Sequence, residues 1–220
     1  MAIGGGGLCR GLAERLVGLT GRERPRLLYV GTAAAENPES ALRTYDAFAG
    51  LAEVSRLEFF PWPPEDLRSV VLDSHLVFVG GGNSANMLAI WRVHGVDELL
   101  REALERGVVL AGSSAGGLCW FESGVTDSFG PQLEPTEYLG FLPGSFCPHY
   151  DDEELRRPRY HELVADGLPA GYAADARVAL HFVGGELREI LSCKEGSNAY
   201  RVELRGGQVV ETALTARLVA

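Results

Sequence analysis

Short apolar runs of strand-forming residues alternate along the chain with segments whose apolar residues have helical spacing. Strands are predicted over residues 26–30, 54–60, 75–79 and 108–111. Helices are predicted between them over 40–51, where Asn37-Pro38 marks the start, and over 84–92 and 96–106. Neighbouring parallel strands need crossover connections of this kind, so the alternation predicts a mostly parallel sheet with helices on both faces.

The pattern changes beyond Gly130, where proline- and glycine-rich connections lead to a predicted helix over 153–165. Three strands over 178–183, 187–193 and 200–204 are then predicted to form an antiparallel meander. We see no internal repeat and no linker long enough to separate two domains. The fold class we predict is α/β, with a doubly wound, mostly parallel sheet, an antiparallel C-terminal extension and one domain over residues 1–220.

The charge balance excludes several classes of partner. The net charge is −10 and the pI about 5.0. The densest basic cluster, Arg156 to Arg159, directly follows the acidic run Asp151 to Glu154. Binding to nucleic acid or to a membrane surface requires a basic face, which this sequence does not supply. We therefore expect neither partner.

The four cysteines are widely spaced and contain no CxxC pair, so they predict neither a disulfide framework nor a zinc site. Cys119 and Cys147 lie in apolar surroundings and are predicted to be packed thiols. The start of the chain lacks the basic and apolar regions of a signal peptide, and no apolar run reaches the ~18 residues of a membrane span. A cytoplasmic protein is the expectation.

A glycine-rich segment around Ser114 carries the strongest catalytic signal. Gly112-Ser113-Ser114-Ala115-Gly116 fits G-x-S-x-G at a predicted strand-to-helix junction. A nucleophile in such an elbow has a strained backbone, and close chain crossings around it leave no room for side chains. Ser113 is a weaker alternative, because only Ser114 is flanked symmetrically by glycines. An ordinary glycine-rich turn would give the same pattern.

Gly80-Gly81-Gly82-Asn83 follows the third predicted strand and is expected at the same sheet edge as Ser114. A phosphate-binding loop is one reading, but the GxGxxG spacing and the P-loop lysine are missing. The alternative use is as a second oxyanion donor through the amide of Gly82.

A serine needs a base to become nucleophilic, and His149 is the best candidate. It lies in the loop Phe146-Cys147-Pro148-His149-Tyr150, pinned by proline and flanked by aromatic residues. The other histidines are predicted to be structural: His75, His94, His161 and His181.

Taken in order, the triple-glycine loop, the serine elbow and Cys147-Pro148-His149-Tyr150 resemble the peptidase E (aspartyl dipeptidase) family. The resemblance covers roughly residues 27–202, and it implies a fold like that of class I glutamine amidotransferases, or flavodoxin-like. It also implies Ser114 as nucleophile and His149 as base, with the amides of Gly82 and Ala115 as the oxyanion hole. Asn83, beside Gly82, is a further candidate for substrate contact.

The resemblance is incomplete at the third member of the triad. The family has an acid, usually Glu, where this chain has Ala176. Asp175, one residue away, is the first substitute that we consider, and Asp127 is the second. The family's carboxylate-binding arginine lies downstream of the histidine, where Arg157 is the nearest match and Arg156 the next.

The resemblance implies a serine peptidase that hydrolyses short peptides, especially dipeptides with N-terminal Asp, through an acyl-enzyme. Neither a metal nor a cofactor is expected, and the protein is expected to be a monomer or homodimer. A catalytically weak or inactive protein that binds a small ligand is the alternative, because of Ala176. An α/β-hydrolase esterase would place its histidine after the acid, whereas His149 precedes Asp175. Class I amidotransferases have cysteine at the place of Ser114.

Overall fold

The computed structural model describes residues 1–219, which form two β-sheets and seven α-helices. In chain order the strands are β1 (Ala2–Ile3), β2 (Arg26–Val30), β3 (Glu53–Leu57), β4 (Leu76–Val79), β5 (Val109–Ser113), β6 (Phe121–Thr126), β7 (Glu134–Glu137), β8 (Leu142–Cys147), β9 (Gly171–Ala174), β10 (Val178–Val183), β11 (Glu186–Ser192), β12 (Ala199–Arg205), β13 (Gln208–Leu214) and β14 (Arg217–Leu218). The helices are α1 (Arg10–Leu19), α2 (Pro38–Ala47), α3 (Leu67–Leu72), α4 (Ser84–His94), α5 (Val96–Glu105), α6 (Ala115–Leu118) and α7 (Arg156–Ala165), with a 3₁₀ turn at Thr32–Ala34.

The first sheet has eight strands in the order β14-β11-β10-β1-β5-β4-β2-β3. The block β1-β5-β4-β2-β3 is parallel throughout, and β10 joins it antiparallel beside β1. Because β4 and β5 are parallel neighbours, the segments that follow them emerge at the same edge. The triple-glycine loop and Ser114 follow these two strands.

Both faces of the parallel block are covered by helices, which confirms the predicted doubly wound α/β class. Alternate residues of β2 and β4 enter two different apolar clusters, as expected for strands buried on both faces. One cluster takes its helical side chains from α3, α4, α5 and α6, and the other from α1 and α2. The helix predicted from residue 40 begins slightly earlier, where Asn37 accepts a hydrogen bond from the Glu39 amide at 2.8 Å.

The second sheet corrects the predicted C-terminal meander. Its six strands run in the order β13-β12-β9-β8-β6-β7. β10 and β11 do pair as an antiparallel hairpin in the first sheet. β12 instead pairs antiparallel with β9 and β13. The strand predicted over 200–204 therefore exists but leaves the first sheet, and its partner β13 was not predicted.

Two cysteines are also placed differently from the prediction. Cys9 and Cys193 form a disulfide across 184 residues, with their Cα atoms 5.7 Å apart. Their separation in sequence gave no sign of this pairing, which arises because the β1–α1 loop and the end of β11 lie together. Cys119 and Cys147 are free and buried, as predicted. Burial raises the pKa of the Cys147 thiol to about 12, so this group stays protonated and unreactive at neutral pH.

Within residues 1–219, none of the helices combines the length and the apolar character needed to cross a membrane.

Candidate active site

Ser114 lies between β5 and α6 in a backbone conformation that side-chain-bearing residues rarely adopt. Its φ is 55° and its ψ −113°, so it is one of few positive-φ residues here that are not glycine. Its amide donates to the Ile3 carbonyl of β1 at 2.9 Å, while its carbonyl accepts from the amides of Gly117 and Leu118, each at 2.8 Å. The strained backbone is therefore held from both sides, as the sequence predicts for a nucleophile elbow.

Close backbone crossings explain the glycines on either side of the serine. A Cβ on Gly112 would lie 2.2 Å from the Gly116 carbonyl oxygen, and one on Gly116 would lie 2.2 Å from that of Val79. On the facing loop, a Cβ on Gly81 would lie 3.1 Å from the Cβ of Ser114. Side chains at these positions would force β4, β5 and α6 apart, so the glycines are required by packing.

His149 comes from the second sheet, just after β8, and meets Ser114 at the junction of the two sheets. Its Nε2 is 2.9 Å from Ser114 Oγ. The His149 amide donates to the Gly4 carbonyl at 2.7 Å, and a Cβ on Gly5 would lie only 2.2 Å from the imidazole. The loop between β1 and α1 thus packs directly against the histidine ring. The structure brings Ser114 and His149 together; their catalytic roles stay predictions.

The carboxylate facing the other nitrogen of His149 is neither of the two that the sequence suggested. Asp152 Oδ1 lies 3.3 Å from His149 Nδ1, and Glu153 Oε1 lies 3.8 Å from it. Asp152 and Glu153 follow the histidine by three and four residues, and both carboxylates approach its Nδ1 from the loop before α7. Sequence spacing offered this signal, but we interpreted the acidic run only as charge balance for the arginines.

Asp175 and Asp127 point to other partners. Asp175 is 4 % exposed and accepts a hydrogen bond at 2.8 Å from the Asn198 amide. Burial raises the pKa of Asp175. Asp127 is exposed and lies 3.6 Å from Arg156. Among residues 1–219, neither carboxylate forms a hydrogen bond or ion pair with His149: Asp175 is bonded by Asn198 and Tyr200, and Asp127 faces Arg156 of α7.

The amides predicted to form the oxyanion hole are both available. Gly82 has φ +138°, a conformation that favours glycine, and a Cβ there would collide with the Ala33 carbonyl at 2.1 Å. Ala115 is the first residue of α6, where helix amides have no intrahelical acceptor. In the described part of the chain, neither amide has a protein acceptor. Their role as an oxyanion hole stays a prediction.

The arginines predicted to bind substrate are engaged elsewhere. Arg156 is buried, and its guanidinium bonds Glu153 at 2.5 Å and the Val125 carbonyl at 3.1 Å. Arg157 pairs with Glu211, and its guanidinium lies over two tyrosine rings at 5.0 and 5.3 Å. Neither side chain lines the cavity beside Ser114. Both positions belong to α7, which faces the second sheet, and substrate binding by these arginines stays a prediction.

Asn83 serves as the N-cap of α4. Its Oδ1 accepts from the Asn86 amide at 2.8 Å, and its Nδ2 donates to the Ser128 carbonyl at 2.8 Å. These bonds occupy both ends of the side-chain amide. Asn83 therefore has a structural role, and its contact with substrate stays a prediction.

A cavity of about 400 Å³ opens beside the serine–histidine pair. It is lined by Ser114, His149, the triple-glycine loop, the β1–α1 loop and one face of α2. Arg43 of α2 is part of this lining, and our sequence interpretation missed it. Its helical spacing with Ser40 and Ala47 could have shown that these residues share one face, but not that the face meets Ser114. Among residues 1–219, no group of three or more His, Cys, Asp or Glu side chains is arranged to hold a metal ion.

Known proteins with similar sequences are peptidases. An uncharacterized peptidase, YgaJ, of Bacillus subtilis (strain 168) is 44 % identical, covering 97 % of this chain and 96 % of its own length. Peptidase E of Shewanella denitrificans is 32 % identical, covering 67 % of this chain and 66 % of its own length. The first similarity extends over nearly the whole fold, including both sheets.

The fold also matches a solved structure. A peptidase from an acI-B1 Actinobacterium superposes with a TM-score of 0.71 at 17 % identity, covering 98 % of this chain and 93 % of the other. At that identity the match shows the shared fold alone. The family model of peptidase family S51 matches residues 2–190, which include every residue of the site described above. The chain therefore belongs to peptidase family S51.

Proposed function

We propose that this chain is a serine peptidase that hydrolyses short peptides, with Ser114 as nucleophile and His149 as general base. The observation that carries the proposal is the 2.9 Å contact between Ser114 Oγ and His149 Nε2, at an elbow whose strained backbone exposes the serine to the cavity. A contact of this length lies within the range needed for proton transfer.

The geometry supports the following reaction. His149 Nε2 takes the proton of Ser114 Oγ as the oxygen attacks the peptide carbonyl carbon. The negative carbonyl oxygen of the tetrahedral intermediate accepts hydrogen bonds from the free amides of Gly82 and Ala115. The protonated His149 then gives its proton to the leaving amine, and the C–N bond breaks. A water molecule, deprotonated by His149, hydrolyses the acyl-enzyme and regenerates Ser114.

Asp152 is the carboxylate that we assign to His149. With Nδ1–H directed at Asp152, the ring presents an unprotonated Nε2 to the serine, which is the tautomer a base requires. Glu153, at 3.8 Å, is a second carboxylate on the same side. Asp152 substitutes for the missing family acid at Ala176, whose own amide is bonded by Asp151 at 2.7 Å.

The size of the cavity favours a short peptide. A volume of about 400 Å³ falls at the lower end of the range for small-ligand sites, and it suits a di- or tripeptide better than a folded protein. The resemblance to peptidase E adds the expectation of an N-terminal aspartyl residue. Both the dipeptide length and the aspartyl preference belong to the proposal.

A catalytically weak protein of the same fold is the second candidate, favoured by one observation. Asp152 is 49 % exposed, and its 3.3 Å contact with His149 is long for a charge-assisted hydrogen bond. An acid held this loosely orients the imidazole less firmly than a buried one. Slow turnover would fit this candidate, and so would peptide binding without hydrolysis.

Labelling with a serine-directed fluorophosphonate, followed by peptide mapping, tests the assignment of the nucleophile. We expect one label, on Ser114, with labelling and dipeptide hydrolysis both lost in Ser114→Ala. Ser113→Ala is the matched control, because the neighbouring serine belongs to the same motif and should remain dispensable for labelling at 114. A label on Ser113, or hydrolysis that survives Ser114→Ala, would contradict the proposal.

A further inference from the structure

We propose that Arg43 binds a carboxylate group of the peptide substrate in the cavity beside Ser114. The inference rests on the proposed peptidase function and adds the residue that recognises substrate charge. It also replaces Arg156 and Arg157, whose guanidinium groups are occupied by Glu153 and Glu211.

The position of Arg43 follows from the geometry of α2. Ser40, Arg43, Thr44 and Ala47 are spaced three and four residues apart, so they lie on one face of the helix. All four line the cavity that also contains Ser114 and His149. The guanidinium group therefore shares a cavity with the reacting atoms, while its backbone belongs to a capped, regular helix.

The charge of this cavity is one-sided. Among residues 1–219, Arg43 is the only Lys or Arg that lines the cavity, and no Asp or Glu lines it. Its Nη2 donates to Ser40 Oγ at 2.9 Å. No carboxylate lies within ion-pair distance of Arg43 in the part of the chain that the structure describes, whereas arginines such as Arg68 and Arg106 pair with Glu102. The remaining donors of Arg43 are thus free for a ligand.

The positive charge of Arg43 also acts on Tyr29, which is part of the cavity wall. Tyr29 lines the same cavity, and its ring lies against the triple-glycine loop, since a Cβ on Gly80 would be 2.7 Å from the phenol oxygen. Burial raises the pKa of Tyr29, and the nearby Arg43 cation partly opposes that rise. The field of Arg43 therefore reaches the wall next to Ser114.

A carboxylate is the ligand that this arrangement fits. The planar guanidinium fork matches the two oxygens of a carboxylate, and the contact is stronger than one between neutral groups. A protein of net charge −10 repels anions at long range, so an anionic substrate needs such a local cation. A short peptide offers two candidate groups: an acidic side chain, as in N-terminal Asp, and its C-terminal carboxylate.

Equilibrium binding separates these two groups without depending on turnover. We would measure the Kd of Asp-Leu, Asn-Leu and Asp-Leu-amide by calorimetry, on Ser114→Ala and on Ser114→Ala with Arg43→Gln. Asp-Leu should bind about 10- to 100-fold more weakly once Arg43 is removed, as expected for a lost charge-assisted contact. If Arg43 binds the Asp side chain of the peptide, its removal should leave the affinity for Asn-Leu unchanged. If Arg43 binds the C-terminal carboxylate, its removal should leave the affinity for Asp-Leu-amide unchanged.

Two further variants show that the effect belongs to the Arg43 guanidinium. Arg43→Lys keeps the charge without the fork, and it should recover part of the lost affinity. Arg22→Gln removes another exposed arginine, near His75 at the opposite end of the strands from Ser114, and should leave every Kd unchanged. Circular dichroism and thermal midpoints would confirm that the variants are folded.

Two outcomes would overturn the inference: equal Asp-Leu affinity with and without Arg43, or no binding of any of the three peptides to Ser114→Ala. The proposed function fails separately. In one result, the wild-type protein binds peptide carboxylates through Arg43 and yet neither hydrolyses peptides nor reacts with the fluorophosphonate. That result would support the Arg43 site and contradict the proposed peptidase function. If labelling and hydrolysis are unchanged in Arg43→Gln, the peptidase function stands and the Arg43 site is contradicted.

Discussion

At the scale of single residues, the acid beside His149 is the point where this site differs most from a buried triad. Asp152 is 49 % exposed, whereas the His149 side chain that it faces is 20 % exposed. Water therefore competes for the carboxylate and screens its charge. The contribution of Asp152 should come from directing Nδ1–H, with less from stabilising the imidazolium.

We expect Asp152→Asn to lower kcat by about 10- to 100-fold, well short of the ~10⁴-fold loss known for a buried acid. An amide can present its NH₂ to Nδ1 and favour the wrong tautomer, and no carboxylate then neutralises the imidazolium. Steady-state kinetics on a dipeptide would measure the loss, with KM expected to change little because Asp152 does not line the cavity.

Asp175→Asn is the matched control for that variant. It removes the acid that sequence reasoning placed first, while the amide oxygen can still accept from Asn198. Its kcat should stay within about twofold of wild type, a change too small to register as a lost triad interaction. The reverse ranking, with Asp175→Asn slow and Asp152→Asn fast, would restore the acid suggested by the sequence.

The contrast between these residues shows what the sequence can predict. The positions of Ser114 and His149 were predictable because a motif in a strand-to-helix turn fixes the local backbone, and because few histidines lie in loops. The acid was only partly predictable: Asp152 and Glu153 follow His149 by three and four residues, but their contact with its ring depends on how residues 149–153 turn after β8. That turn is set by the Gly4 carbonyl, 145 residues earlier. Arg43 was missed for the same reason, because its position depends on how α2 packs.

At the scale of elements, the β5–α6 elbow is the rigid part of the site. Gly116 lies where α6 crosses β4, and a Cβ there would be 2.2 Å from the Val79 carbonyl. Backbone atoms offer no flexible side chain that could move away. The orientation of Ser114 therefore depends on Gly116, which lies outside the described lining of the cavity.

We expect Gly116→Ala to lower the free energy of unfolding by about 3 kcal/mol or more, the upper range for inserting a methyl group into a packed site. Gly18→Ala, in the exposed part of α1, should instead stabilise by about 0.5–1 kcal/mol, because among residues 1–219 only its chain neighbours and the nearby helix backbone could lie within 4 Å of the new Cβ. Urea unfolding followed by circular dichroism measures both. Equal stability of the two variants would show that the crossing can relax.

The elements themselves were mostly predictable, and their pairing was less so. Residues 26–30 form a strand as predicted, because a short apolar run of Leu, Tyr and Val bounded by Pro25 and Gly31 has few alternatives. The strands that pair with β12 could not be predicted from the sequence in this way. Its alternation fits either sheet, and only the tertiary packing of Val202 in the apolar cluster beneath α7 decides between them.

At the scale of the whole molecule, the two sheets share an apolar core and supply one residue each to the serine–histidine pair. Phe121 and Phe146 of the second sheet stack at 5.0 Å and belong to the same cluster as Leu28 and Val77 of the first. One domain over residues 1–220 stays a prediction. A relative movement of the sheets would separate His149 from Ser114, so we expect the shared core to hold the site geometry.

The Cys9–Cys193 disulfide is a long-range covalent link within the first sheet's surroundings. It closes 184 residues and ties the loop that packs against His149 to the end of β11. A crosslink over such a span restricts the unfolded chain, and losing it typically costs about 2–5 kcal/mol. We expect Cys9→Ser with Cys193→Ser to lower the free energy of unfolding by this amount in oxidising buffer. In dithiothreitol the variant and the wild type should have nearly equal free energies of unfolding.

Thiol titration of the unreduced, unfolded wild type should find only Cys119 and Cys147. Four free thiols in the wild type, together with equal stability of variant and wild type in both buffers, would show that Cys9 and Cys193 remain reduced.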